Sequence, residues 1–335
     1  CIVRIILTVA LRKPLAHATT QLAKAFEPSM MKVDGVIRAR LGSKVDLIPE
    51  LGGHLVHAGG KRIRPLFTLC GAALTGEVNE ASIKLAATVE FIHTATLLHD
   101  DVVDNSARRR GRDTANNIWD NKAPILVGDF LFARAFELMV EAHSLEIMSI
   151  LSKASARIAE GEVLQLTSAH NTDLDEDTYF RIVEAKTAVL FEAALEVGAL
   201  SAGASSEESQ SLARFGLCYG TAFQIIDDYL DYAGAPDIIG KAPGDDFREG
   251  KCTLPAILAL KQNNADSARL RALFDLDDRD ENFAEALDLV QVSEHLRPQK
   301  NRHVHILSRP KTHSLLIKAI SAPRLPCWLT KRLSA

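Results

Sequence analysis

The sequence predicts an all-α protein folded as a single domain, and three observations carry that reading. Strand signals are nearly absent. From about residue 20 to 290 the apolar residues recur at three- and four-residue spacing, the pattern of amphipathic or buried helices. Nothing between those limits has the composition of a linker between globular halves, and no repeat of about 20–50 residues marks a solenoid. The windows 81–104, 122–143, 176–201 and 206–232 are the longest, and they are rich in Ala, Leu and Glu, which cost little in a helix. Turn chemistry separates them: Gly59-Gly60, Gly76, Asp173–Asp177, Gly203, and the Gly/Pro-rich stretch 234–250.

Composition narrows the function. The 335 residues are enough to bury a sizeable core. A net charge of −4 argues against nucleic acid as a main partner, because phosphate backbones need a concentrated basic surface. Five cysteines (Cys1, Cys70, Cys218, Cys252, Cys327) are scattered without CxxC spacing and read as reduced thiols of a cytoplasmic protein. No apolar run approaches the ~18–20 residues of a transmembrane segment. The two ends differ from the middle. Residues 1–20 form an N-terminal extension whose charges follow its apolar part, the reverse of a secretory signal, and an organellar leader stays open. No acid follows Glu294, whereas nine lysines and arginines do, and Pro298, Pro310, Pro323 and Pro326 break any long helix. Residues 292–335 are therefore expected to be an atypical basic tail, either misread or disordered.

Chemistry concentrates in two aspartate-rich motifs, DDVVD at 100–104 and DDYLD at 227–231. Asp100 and Asp104 are four apart and share a helical face, as do Asp227 and Asp231. One such pair alone reads as a solvated helix face. Here both clusters interrupt strongly apolar sequence and both fall towards helix C-termini, where the macrodipole disfavours negative charge. Crowded carboxylates in an enclosed site would hold protons unless a divalent cation joined them. Carboxylate oxygens without partner His or Cys suit magnesium, which completes its shell with water and substrate phosphates. Basic residues punctuate the same chain. Lys61 and Arg64 stand at an expected helix start, where free N–H groups favour anions. Arg108-Arg109-Arg110 follow the first motif, and Lys186-Thr187, Lys241 and Lys251 come later. Arginine forks grip phosphate bidentately and lysines act as point charges. Diphosphate is the ligand class this combination fits.

With GGKRIRP, LLHDDVVDNSARRRG, GDFLFARAF, GEVLQL, the KT pair at 186–187, FQIIDDYLDYAG and GDDFREGKCTLP in view, the chain resembles the (all-E) polyprenyl diphosphate synthases, a trans-prenyltransferase family, over about residues 25 to 262. Within that family it is most similar to the octaprenyl and decaprenyl synthases that make quinone side chains. The resemblance implies roughly ten helices around a central cavity (the isoprenoid synthase fold), with residues 21–291 as the catalytic domain. It also implies a homodimer whose acidic motifs face each other across the cavity mouth. About three magnesium ions are implied, held by Asp100, Asp104 and Asp227, with Asp231 grouped with them and Asp101 and Asp228 in support. Arg109, Lys186, Thr187, Gln224 and Lys241 look like the contacts of the allylic diphosphate, which is farnesyl or geranyl diphosphate, and of its reacting carbon. Lys251 lies on the closing loop. Lys61, Arg64, His93 and Arg110 match the pocket for isopentenyl diphosphate.

Product length is argued from the helix before Asp100. Ala95 and Thr96 sit about one turn back and are small, so a growing tail should pass them towards Ile92 and Val89. A long product follows. Three other readings compete. A terpene cyclase would normally lack the GGKRIRP element and carry a different second motif. An HD-type phosphohydrolase, suggested by His99-Asp100, would need further histidines on one metal, and His93 lies on another helical face. A non-catalytic partner subunit would be expected to lose acidic residues that are all present here.

Overall fold

The computed structural model describes residues 24–57, 60, 62–109, 112–233, 243–276 and 278–292. The extension at 1–20 and the tail after 292 lie outside them. In chain order the helices are α1 (Glu27–Leu41), α2 (Leu47–His57), α3 (Ile63–Thr75), α4 (Glu80–Val103), α5 (Ala115–Trp119), α6 (Lys122–Glu141), α7 (Leu145–Ser168), α8 (Glu176–Val183), α9 (Val189–Ser201), α10 (Ser206–Ala233), α11 (Asp245–Arg248), α12 (Leu254–Leu260), α13 (Ala265–Phe274) and α14 (Phe283–Val292). A two-residue antiparallel ribbon, Arg108–Arg109 against Arg112–Asp113, is the β structure among the described residues. The expected helical window 176–201 is interrupted by a π-helical turn, Glu184–Ala188.

Local chemistry sets several helix starts. Asn79 caps α4, accepting from the Ser82 N–H while the Ser82 hydroxyl accepts from the Asn79 N–H. Asn264 and Ser267 repeat that reciprocal cap on α13. The Asp175 carboxylate accepts from the Thr178 N–H at 2.6 Å to open α8. Each satisfies donors that a helix start leaves without partners, worth about 1 kcal/mol.

The chain forms two compact units, each assembled from separate stretches. The first comprises, among described residues, 24–156 and 189–217. Its centre is α4, whose Leu85, Val89, Ile92, Ala95 and Leu98 are fully buried. α3, α6 and α9 pack against it. Each such Leu or Ile contributes roughly 1.5–3 kcal/mol by leaving water. α3 and α9 cross with backbones in near contact: a methyl at Gly198 would lie 2.0 Å from the Thr68 carbonyl oxygen, and one at Gly71 would lie 2.4 Å from that of Leu195.

The second unit comprises 157–188 and, among described residues, 218–292. Its core joins Tyr179 and Phe180 of α8, Tyr232 of α10, Leu254 and Ala256–Leu260 of α12, and Phe247, Phe274 and Val290. The Phe247 and Phe274 rings meet edge to face at 5.0 Å, a geometry that ring quadrupoles favour.

Candidate active site

In the first unit, DDVVD occupies the last turn of α4. Asp104 caps the helix, its N–H donating to the Asp100 carbonyl at 2.8 Å. Asp100 and Asp104 are half-buried, whereas Asp101 is 1% exposed. The chain then reverses through Asn105, in the left-handed region at φ 50°, and the Ser106 N–H donates back to the Asp101 carbonyl at 3.0 Å. The following ribbon returns Arg109, whose Nε donates to the Asp101 carboxylate at 2.7 Å. Burial pushes the Asp101 carboxyl above its ordinary range against the pull of Arg109, and the neighbouring charges of Asp100 and Asp104 push the same way. The middle aspartate is thus the anchor of the ribbon, and its two neighbours are the more accessible carboxylates.

Two histidines on α4 face different partners. His99 sits over Gly128 of α6, its Nε2 3.1 Å from the Ile125 carbonyl oxygen. A methyl at Gly128 would fall 2.2 Å from that ring nitrogen. His93 is met by Arg64 of α3, with Arg64 Nη1 3.0 Å from His93 Nε2. A guanidinium only donates, so His93 accepts through Nε2 and is neutral in this arrangement. The same guanidinium stacks over the Phe191 ring at 4.5 Å, an attraction between cation and ring quadrupole. Arg62 precedes α3 with φ 46° and holds Glu90 of α4 at 2.6 Å, which fixes the approach to Arg64. Among the described residues the HD-type arrangement is not formed: His93 meets Arg64, whereas His99 meets the Ile125 carbonyl.

In the second unit, a cavity of about 130 Å³ gathers Lys186, Thr187, Gln224, Asp228, Asp246 and Lys251 in its wall. The π turn delivers the first two. α7 can approach it closely because residue 161 is glycine: a methyl there would stand 2.8 Å from the Ala185 Cβ and 2.9 Å from the Lys186 nitrogen. Lys186 Nζ donates to Glu162 at 2.7 Å. The Thr187 hydroxyl donates to Gln224 Oε1 at 2.9 Å, and Gln224 Nε2 donates to Asp228 at 2.7 Å. The Tyr179 hydroxyl donates to the other Asp228 oxygen at 2.6 Å. Burial raises the Asp228 carboxyl to about 7, while the bonds from Tyr179 and Gln224 favour its ionised form. Within DDYLD, Asp227 is exposed, and Asp231, 1% exposed, accepts from the Asp246 N–H at 3.1 Å.

A family description, "Polyprenyl synthetase", matches residues 45–290. The chain belongs to the polyprenyl synthetase family. It is 46% identical over 250 residues to octaprenyl diphosphate synthase of Haemophilus influenzae, covering 75% of this chain and 76% of that protein. It is 48% identical over 239 residues to a geranyl-diphosphate-specific all-trans-nonaprenyl-diphosphate synthase of Rhodobacter capsulatus, covering 71% and 73%. A polyprenyl synthase of Caulobacter crescentus, crystallised with calcium and isoprenyl diphosphate, superposes with a TM-score of 0.84 at 45% identity, over 94% of each chain. The all-α fold expected from the apolar spacing is the fold of these synthases, and the chain is a prenyltransferase.

Seen in this polyprenyl synthase, the expected site residues fall into three sets. Arg64 with His93, and Asp100 and Asp104 with Arg109, are placed in the first unit. Lys186, Thr187, Gln224 and Lys251 are brought to one cavity in the second, with Asp227 and Asp231 on the same α10. Lys61, Arg110 and Lys241 lie outside the described residues. Ala95 is fully buried, and Thr96, half-buried, turns its hydroxyl to the His93 carbonyl at 2.8 Å. Lys251 sits on a short loop after α11 that Gly250 starts at φ 70°; a methyl at Gly250 would strike the His170 ring at 2.3 Å. α11 itself is held from behind by Arg248, which pairs with Asp280 at 2.6 Å and lies 4.9 Å over the Phe283 ring.

Sequence reasoning passed over Tyr179, Glu162 and Arg62. Arg62 and Glu162 stand inside quoted motifs, so their neighbourhood was a signal. Tyr179 gave less: a buried tyrosine needs a hydroxyl partner, but nothing in the spacing named Asp228. Among the described residues, no helix is long and apolar enough to cross a membrane.

Proposed function

We propose that this chain is a long-chain (all-E) polyprenyl diphosphate synthase that adds isopentenyl diphosphate units to farnesyl or geranyl diphosphate, for a quinone side chain. The observation that carries the reading is the cavity in which Lys186, Thr187, Gln224 and Lys251 converge beside the DDYLD helix. Two amines there suit the oxygens of a diphosphate, and two neutral dipoles suit an allylic cation. Leu174, Ile182 and Val183 complete the wall with apolar surface that excludes water able to quench that cation. In the first unit, Arg64 and His93, with Lys61 and Arg110, would take isopentenyl diphosphate, and Arg109 would serve the allylic diphosphate as well as Asp101. Lys241 is assigned to the allylic diphosphate by the motif alone.

The acidic residues fit a divalent cation. Their donors are carboxylate oxygens, the set that magnesium and calcium favour. Among the described residues no three His, Cys, Asp or Glu side chains form a ready cage, so the remaining ligands would be water and diphosphate oxygens. Asp100 and Asp104 in the first unit and Asp227 in the second would hold magnesium, about three ions in the family's pattern. Asp231 would act chiefly by anchoring the Asp246 backbone. When bound, the metal supplies positive charge against the departing diphosphate.

The residues then serve a single condensation. The allylic carbon–oxygen bond breaks, the allylic carbon bonds to the terminal double-bond carbon of isopentenyl diphosphate, and one proton is lost to the released diphosphate. Thr187 and Gln224 offer oxygen dipoles to the cation. A homodimer, a cytoplasmic location, and a catalytic domain over 21–291 complete the proposal. It is tested with purified protein, magnesium, farnesyl diphosphate and labelled isopentenyl diphosphate. A ladder of elongated products, abolished by EDTA and restored by magnesium, is expected. Absence of any elongated product would overturn the reading in favour of a non-catalytic subunit.

A further inference from the structure

The hydrogen bonds on the second-unit cavity converge on Asp228 from two sides. Tyr179, 3% exposed, donates to one Asp228 oxygen; Gln224 donates to the other; Thr187 donates to Gln224. An amide has one acceptor end and one donor end. With its NH₂ given to Asp228, Gln224 must turn its carbonyl to Thr187, and the Thr187 hydrogen must point at that carbonyl. The Thr187 oxygen is left with its lone pairs for the cavity. If Gln224 were flipped, its NH₂ would face Thr187, and the hydroxyl hydrogen would be free to turn elsewhere. What opposes the flip is the Asp228 oxygen that accepts from the Gln224 NH₂ at 2.7 Å, while Tyr179 occupies the other oxygen of the same carboxyl at 2.6 Å.

We propose that Tyr179 is a positioning residue of this synthase: by binding Asp228 it sets the orientation of Gln224 and Thr187, and so the sign of the dipoles offered to the allylic cation. Tyr179 reaches the reacting carbon only through this relay. The inference rests on the proposed function, because it concerns the cation of that reaction. Its consequence is chemical. Misaligned dipoles leave the cation less protected, and a water oxygen can bond to it, releasing a proton and giving the allylic alcohol in place of the elongated chain.

The test measures the ratio of farnesol to elongated product with farnesyl diphosphate, isopentenyl diphosphate and magnesium, together with kcat, KM and thermal melting. Farnesol formed in a protein-free blank is subtracted, so the ratio counts only what folded molecules make and is insensitive to partial unfolding. In Tyr179→Phe we expect kcat to fall about 10- to 100-fold, the usual effect of losing a group that orients a contacting residue. KM for isopentenyl diphosphate should stay within about twofold, since ground-state binding is untouched, and the alcohol fraction should rise. Tyr179→His keeps a ring N–H for Asp228 and is expected to recover part of the wild-type ratio. In a Thr187→Val background, Tyr179→Phe should have little further effect, as members of one relay are not additive. A Tyr179→Phe enzyme with the wild-type ratio and kcat, a Tyr179→His enzyme no better than Tyr179→Phe, or multiplicative effects in the double variant would each overturn this inference alone. A wild-type protein that makes no elongated product would instead overturn the functional reading beneath it.

Discussion

Glu196 of α9 carries a charge problem outside the expected site. Burial, and after it the nearby charges of Glu192 and Glu146, raise its carboxyl from 4.5 to about 7. The folded chain therefore keeps a proton that the unfolded chain releases. Between about pH 4.5 and 7 the folded state binds more protons, so stability falls as pH rises, and the cost is complete above 7. Glu196→Gln removes the charge and should stabilise the protein at pH 8 by about 1–2 kcal/mol, a figure reduced for partial solvent access. Near pH 4.5 it should change little. Urea melts at the two pH values check this, and an equal gain at both would locate the effect in packing rather than in charge. Nothing in the sequence singled out Glu196: an acid in ALEVGAL reads as one exposed residue of an amphipathic helix. The aspartates were easier to see because acids crowded at the end of an apolar helix have no cheap structural explanation.

At the level of elements, the clearest constraint is the crossing of α3 and α9. Gly198→Ala would press a methyl to 2.0 Å from a backbone oxygen of Thr68. Backbone cannot swing aside as a side chain can, so the two helices must separate. A loss of about 3 kcal/mol is expected from such overpacking, read as a lower denaturation midpoint. By contrast, Gly35 has nothing within 4 Å, and Gly35→Ala in α1 should be tolerated. Elements were legible where period and caps agreed. The window 206–232 became Ser206–Ala233, and 81–104 became Glu80–Val103. The π turn was not legible. Five residues of wider pitch leave the apolar spacing of 176–201 nearly unchanged, yet they are what brings Lys186 and Thr187 to the cavity. The four-residue α11 was also hidden, inside a stretch whose glycines and prolines signalled only loop.

For the whole molecule, the defining output is product length. Ala95 and Ile92 are fully buried on α4, one turn apart, and the growing tail is proposed to pass along this part of the helix. Ala95→Phe should therefore shorten the product while leaving the first condensations intact, checked by chromatography of the dephosphorylated products. Unchanged length would refute the path. The motif set made the family legible because diphosphate chemistry needs acids and bases in a fixed order along the chain. It said much less about how the chain is divided between units, since spacing records neighbours in sequence and not neighbours in space. That division bears on synthesis. The first unit uses residues up to Ala156 and then Val189–Leu217, with Arg157–Ala188 belonging to the other. During translation at roughly 5–20 residues per second, its core cannot close until those later helices emerge, several seconds after α6 is complete. In that interval the apolar side of α4 waits for α9, a window in which a chaperone has something to hold.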